Sequence, residues 1–327
     1  MDCMGVQFDP STKKVLFNPS TQKALMARIL HIYSGSIGGV KKDLYKGLSN
    51  PLWSYAISTD IDKVSLDAEE NVYCVGSVVD SKNIWKLDRH GNLLWSTLQG
   101  GNLLTCGIDG DGNLVVAGYE NDGKHIWKIN QEQELQWSYD CGAVERVCDL
   151  VIDNDGNIYA AGGGTVYHEY VYWKLNPAGE LQWRINYASS LYGTGRSIAH
   201  RNAHDYVVTK GEGGFLELRK SDGVIVDNAA WAGGDMVEEI TVKGSSVYYA
   251  TRKAVPSGGG IEKFSIGLVW QKTIIGGILP RDIDVDNLGN CVVSCADGVK
   301  VIANDGTVLW SHGTGSYGVA IRTLYDA

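Results

Sequence analysis

The stretch that decides the fold is Asp153-Asn-Asp-Gly-Asn157-Ile-Tyr-Ala-Ala-Gly162, followed ten residues on by Tyr172-Trp-Lys-Leu-Asn176-Pro-Ala-Gly179-Glu-Leu-Gln-Trp183. Asp, Asn and Gly gather where a chain reverses, and β-branched, aromatic and alternating apolar residues fill the runs between them. The pattern predicts four short strands, A over about 147–152, B over about 157–161, C over about 171–175 and D over about 181–185. Tight turns join A to B and C to D, as in an antiparallel meander.

The same order recurs. Asp67-Ala-Glu-Glu-Asn71-Val-Tyr-Cys-Val-Gly76, Asp109-Gly-Asp-Gly-Asn113-Leu-Val-Val-Ala-Gly118 and Asp286-Asn-Leu-Gly-Asn290-Cys-Val-Val-Ser-Cys295 repeat the first half. Ile84-Trp-Lys-Leu-Asp88 leading to Gly91 and Trp95, Ile126-Trp-Lys-Ile-Asn130 leading to Trp137, and Asn304-Asp-Gly306-Thr-Val-Leu-Trp310 repeat the second. Trp53, Trp95, Trp137, Trp183, Trp231, Trp270 and Trp310 follow one another at gaps of 42, 42, 46, 48, 39 and 40 residues. One four-stranded meander cannot bury both faces, whereas copies stacked around an axis can; at this period the solution is a β-propeller. No segment carries a sustained apolar stripe of helical period, so the expected class is all-β.

Six complete units run from about Asp60 to Trp310. The C-terminal Tyr317–Tyr325 reads as one more strand A, and Arg28–Ser34, Val40–Asp43 and Pro51–Tyr55 read as B, C and D. The expectation is therefore seven four-stranded blades, the last shared between the two chain ends, which removes an open sheet edge. An eighth blade from the first 27 residues stays open at this level. Residues 28–327 form the propeller domain, and residues 1–27 form an N-terminal arm expected to make assembly contacts.

Composition agrees. Gly supplies 41 of 327 residues, well above the usual share of about 7%. Net charge is −9, and no basic face is legible that would hold nucleic acid. No apolar run is long enough to span a bilayer, and Met1–Phe17 lacks the pattern of a secretory signal. A chain made in the cytoplasm, with incorporation into a virion as one destination, is the expectation. Cys3, Cys74, Cys106, Cys141, Cys148, Cys291 and Cys295 are odd in number and contain no Cys-x-x-Cys, so reduced thiols are expected. Cys141 and Cys148 are the best candidates for a bridge.

The units resemble the quinoprotein-like (PQQ-like) propeller repeat, through Asp88/Gly91/Trp95, Asn176/Gly179/Trp183 and Asn304/Gly306/Trp310. Their Asp-x-x-Gly-Asn strand pattern is also similar to bacterial and phage propeller repeats. The resemblance implies the fold over about residues 60–310. The quinone-dependent dehydrogenases of that family have eight blades, neighbouring cysteines under the cofactor, a calcium ion and a catalytic Asp. This chain has no adjacent cysteine pair, and no Asp maps onto the catalytic one. A non-enzymatic member without cofactor is expected.

Individual motifs lead the same way. Asp109-Gly-Asp111-Gly-Asn113 with Glu120 has calcium-loop spacing, yet Leu114 stands where the loop needs Gly, so a hairpin turn is expected. His200 and His204 lie in a loop or hairpin and lack the geometry of a helical zinc pair; the seven histidines read as surface residues. Topology places the B–C and D–A loops of a blade on one face. Tyr167, His168, Tyr170, Tyr187, Tyr192 and Arg196 then gather there as a candidate partner or ligand face. Lys63, Asp149, Arg196 and Asp282, which open strand A, are expected around the mouth of the axial channel. The functional expectation is a non-catalytic interaction scaffold in a larger assembly, such as a structural or host-recognition part of a phage particle. Other protein subunits are its expected partners, and a surface glycan is a further one. The alternatives are a carbohydrate-binding propeller and a relative of quinone-dependent dehydrogenases.

Overall fold

The computed structural model describes residues 61–312, apart from the loops 120–123, 143–144, 165–168, 189–196, 201–204, 212–213, 231–235, 253–258, 266–268, 287–288 and 296–297. Outside that span it describes the backbone of six strands. These are β1 (Gln7–Asp9), β2 (Lys14–Leu16), β3 (Arg28–Tyr33), β4 (Ser36–Lys41), β5 (Trp53–Tyr55) and, at the other end, β30 (Gly318–Arg322).

Six blades of four consecutive antiparallel strands lie between them. Blade 1 holds β6 (Ile61–Leu66), β7 (Val72–Val79), β8 (Lys82–Leu87) and β9 (Leu93–Thr97). Blade 2 holds β10 (Asn102–Ile108), β11 (Leu114–Tyr119), β12 (Lys124–Ile129) and β13 (Leu135–Asp140). Blade 3 holds β14 (Glu145–Ile152), β15 (Ile158–Gly164), β16 (Glu169–Leu175) and β17 (Leu181–Ala188). Blade 4 holds β18 (Ile198–His200), β19 (Tyr206–Gly211), β20 (Gly214–Arg219) and β21 (Ile225–Ala230). Blade 5 holds β22 (Met236–Lys243), β23 (Ser246–Arg252), β24 (Gly260–Ser265) and β25 (Trp270–Gly276). Blade 6 holds β26 (Pro280–Val285), β27 (Cys291–Cys295), β28 (Gly298–Ile302) and β29 (Val308–His312).

The expectation of seven blades is thus corrected to six complete blades of consecutive strands, because the remaining four-strand set takes three strands from one chain end and one from the other. The end strands pair in a sheet of mixed origin, in the order β30-β3-β4-β5, with β30 lying between β26 and β6. In the N-terminal arm β1 and β2 form a separate two-stranded hairpin.

The repeated Asp-x-x-Gly-Asn turns close on themselves. In blade 3 Asp153 Oδ1 accepts the backbone N–H groups of Asp155 and Asn157, and its Oδ2 accepts the Asn157 amide. Asp67, Asp88 and Asp109 repeat these contacts. Each carboxylate thereby replaces the backbone partners that a tight turn leaves unmatched.

The core lies between blades. Val115 and Ile126 of blade 2 pack with Val147, Leu150 and Trp173 of blade 3, and corresponding clusters fill the other interfaces from blade 1 to blade 6. Strand-D indoles clamp blade 2 to blade 3 and blade 3 to blade 4. Trp137 Nε1 donates to Pro177 O at 3.0 Å and Trp183 Nε1 to Lys220 O at 3.0 Å, both carbonyls belonging to the following blade's C–D turn. Lysines on strand C reinforce these turns, Lys128 Nζ reaching Pro177 O at 3.4 Å and Lys174 Nζ reaching Lys220 O at 2.9 Å. The turn glycine lies under the indole. A Cβ on Gly179 (φ 81°) would sit 2.6 Å from Trp137.

Register corrects the tryptophan spacing. Trp95, Trp137, Trp183 and Trp310 pair with the strand-C residue that stands just before the last register shift of the C–D pair. In blades 4 and 5 that place belongs to Asp227 and Lys272. Trp270 lies two residues earlier and is 52% exposed, and Trp231 lies in the loop 231–235, outside the described residues. The uneven gaps of 48 and 39 residues arise from counting these two indoles as equivalents.

Candidate functional site

Innermost strands β6, β10, β14, β22 and β26 each carry a β-bulge near their start. The extra residue turns the next side chain towards the axis. In blades 2 and 3 the bulge needs the glycine that ends the strand-B motif, since a Cβ on Gly118 or Gly162 would lie 2.0 Å from the carbonyl oxygen of Asn102 or Arg146. The residues that follow the bulges are Lys63, Thr105, Asp149, Glu239 and Asp282. Ser197, immediately before β18, takes part in the same array.

Lys63 is its centre. Its ammonium lies 3.0 Å from Glu239, 3.4 Å from Asp282 and 3.9 Å from Asp149. Asp149 also accepts bonds from Thr105 Oγ1 at 3.1 Å, Ser197 Oγ at 2.9 Å and the backbone N–H groups of Leu150 and Ile198 at 2.9 Å. Ser197 Oγ in turn accepts the Ile240 N–H at 2.9 Å. One polar network therefore touches all six blades. Burial alone would depress the Lys63 ammonium, but Asp282, Glu239 and Asp149 outweigh it and hold its pKa well above the usual lysine value. Burial first, then the charges of Asp149 and Asp282, push the Glu239 carboxyl well above its usual range, against the pull of Lys63. Burial raises the neighbouring Cys106 thiol to about 12, so it stays neutral.

This network floors a cavity of about 770 Å³ that follows the inner strands towards the A–B turns at Asp67, Asp109 and Asp153. Lys63, Asp149 and Asp282, expected around the channel mouth, are thus brought together, with Asp149 and Asp282 buried in one network. Arg196, expected with them, lies outside the described residues, and its neighbour Ser197 takes part in the array. Glu239 and Thr105 were missed. Their signal was the polar residue just before the apolar residue of each inner strand: Lys63-Val64, Thr105-Cys106, Asp149-Leu150, Glu239-Ile240 and Asp282-Ile283.

The expected aromatic face is only partly described. Tyr167, His168 and Tyr192 lie outside the described residues. Tyr170 is corrected: it belongs to β16, is 2% exposed and packs in the interface between blades 3 and 4. Tyr187 on β17 is its cross-strand partner, half-buried, with ring centroids 6.4 Å apart. Both β16 and β17 run further than expected, so the loop residues at their ends become strand residues. The surface reading of the histidines is corrected too. His125 is buried, and His200 is half-buried with Nε2 2.7 Å from Ile152 O.

Asp109 is spent on its turn and on Lys128 Nζ at 2.8 Å, and no group of side chains able to hold a metal ion occurs among the described residues. Glu120 lies outside them. Cys141 and Cys148 are not joined in a disulfide, the first being buried and the second half-buried. No helix among the described residues is long and apolar enough to cross a membrane.

The architecture defines a β-propeller. No protein-family model matches the chain, and no curated protein matches it. Solved structures do. A functionally unknown protein from Desulfotomaculum acetoxidans superposes with a TM-score of 0.68 at 14% identity, over 90% of this chain and 98% of that one. A quinoprotein alcohol dehydrogenase-like protein from Bacteroides thetaiotaomicron gives 0.63 at 10% identity, over 89% and 77%. A hydrazine synthase chain from Kuenenia stuttgartiensis gives 0.61 at 10% identity, over 81% and 96%. The chain shares the propeller fold with a quinoprotein-like protein, in keeping with the repeat resemblance. Likeness at this level speaks for fold alone.

Proposed function

We propose that this chain is a non-catalytic β-propeller scaffold that presents loops to other protein subunits in a larger assembly. The observation that carries the reading is the use made of the axial side chains. Lys63, Thr105, Asp149, Ser197, Glu239 and Asp282 are engaged with one another across blades. Groups that could have served as acid, base or nucleophile thereby hold the ring together, and recognition falls to the loops at the blade edges. The N-terminal arm is a natural second contact. A structural or host-recognition part of a phage particle is one assembly of this kind.

The mass of the full chain in solution tests the reading. Self-association, lost when residues 1–27 are removed, is the expected result; a strict monomer at all concentrations argues against an assembly role. Turnover of alcohols on addition of quinone and calcium would overturn the non-catalytic part. Retention of a glycan on an array would move the function to carbohydrate recognition.

A further inference from the structure

The axial network concentrates charge in an unusual ratio, with three carboxylates around one ammonium. Glu239 is 13% exposed, Asp149 and Asp282 about 5% or less, and Lys63 18%. If all three acids ionise, the group carries an excess of two negative charges away from bulk water. Burying such an excess is costly, and the cheapest relief is a proton on one acid. Asp149 is the least suited to take it, because four donors besides Lys63 hold its oxygens. Asp282 accepts the Ile283 N–H as well as Lys63. Glu239 has Lys63 as its one donor among the described residues, so a proton costs it the fewest hydrogen bonds, and with Asp149 and Asp282 beside it it is the member best placed to carry that proton.

We propose that this network is a proton-sensitive lock: with Glu239 protonated it draws the six blades onto Lys63, and loss of that proton loosens the ring at its axis. The charged groups that act on Glu239 are Lys63 from β6, Asp149 from β14 and Asp282 from β26, while Thr105 from β10 and Ser197 before β18 bond Asp149, and the neutral Cys106 thiol lies beside Lys63. On its own strand Glu238 is the adjacent acid, and β30 includes one ionisable residue, Arg322. The direction of the Glu239 shift agrees. An acid raised in the folded state contributes stability that is fully present below its unfolded pKa of about 4.3 and lost as pH rises through the folded value.

The test compares melting temperatures of the full wild-type chain and Glu239→Gln between pH 5 and pH 8. Histidines titrate in both, so the difference between the two proteins is the readout. It should grow in favour of Glu239→Gln by about 2 °C or more across the range. A difference that stays constant with pH overturns the lock. Should Glu239→Gln fail to fold, wild-type chain carrying 13C-labelled glutamate carboxyls decides. One glutamate still protonated at pH 7 supports the proposal, and titration of every glutamate near its ordinary value refutes it. The outcome is independent of the proposed scaffold role.

Discussion

Replacing Gly179 with Ala probes the contact that couples one blade to the next. Gly179 has φ 81°, a conformation an L-residue adopts at a cost of about 1–2 kcal/mol. Its new Cβ would also lie 2.6 Å from Cδ2 of Trp137, in a site already filled by the indole and its hydrogen bond to Pro177 O. Overpacking of this kind adds about 1–3 kcal/mol, so the total loss should be about 2–5 kcal/mol. Gly244 provides the control, since it has φ 58° and a Cβ added there would meet nothing within 4 Å. Gly244→Ala should cost only the backbone part, about 1–2 kcal/mol. Denaturant melts of both variants, with and without Trp137→Ala, complete a double-mutant cycle. In the Trp137→Ala background the cost of Gly179→Ala should fall to that of Gly244→Ala. Equal costs for the two glycines in the wild-type background would refute the clamp, as would a Gly179→Ala cost that ignores Trp137.

Other expectations follow from the same geometry. Gly162→Ala would place a Cβ 2.0 Å from the Arg146 carbonyl and should disrupt the bulge that aims Asp149, with a loss of more than about 3 kcal/mol seen in thermal melts. For Asp109, burial works against ionisation, but hydrogen bonds from Lys128 and Asn113 hold its pKa below the usual value. Its contribution is therefore present above about pH 3.9 and lost as pH falls through the folded value, and Asp109→Asn should flatten that acid limb of a melting-temperature profile. Thiol titration of the native chain should modify half-buried Cys148 before buried Cys74, Cys106, Cys291 and Cys295, which should react only on unfolding. Early modification of Cys106 would contradict its burial and its raised pKa.

The repeat was legible because turns and strand period are local properties. Asp153 and Asn157 satisfy each other within five residues, so the motif betrays the turn wherever it occurs. The indole spacing was legible in blades 1, 2, 3 and 6, where Trp95, Trp137, Trp183 and Trp310 hold one register position, and in blades 2 and 3 the indole meets one turn of the following blade. It misled at Trp231 and Trp270 because residue type was read without register, and register is fixed by cross-strand hydrogen bonds. The same limit moved Tyr170 from an expected surface loop into the core.

By itself the sequence determined an all-β chain built from a four-stranded unit, the places of its turns, and Lys63, Asp149 and Asp282 as residues near the axis. Only the tertiary structure decided that Glu239, Thr105 and Ser197 join them, and that the contact runs through every one of the six blades. Strand order and turns depend on neighbours a few residues apart. The axial network brings together side chains separated by as many as 219 positions, such as Lys63 and Asp282, and only closure of the ring makes them neighbours.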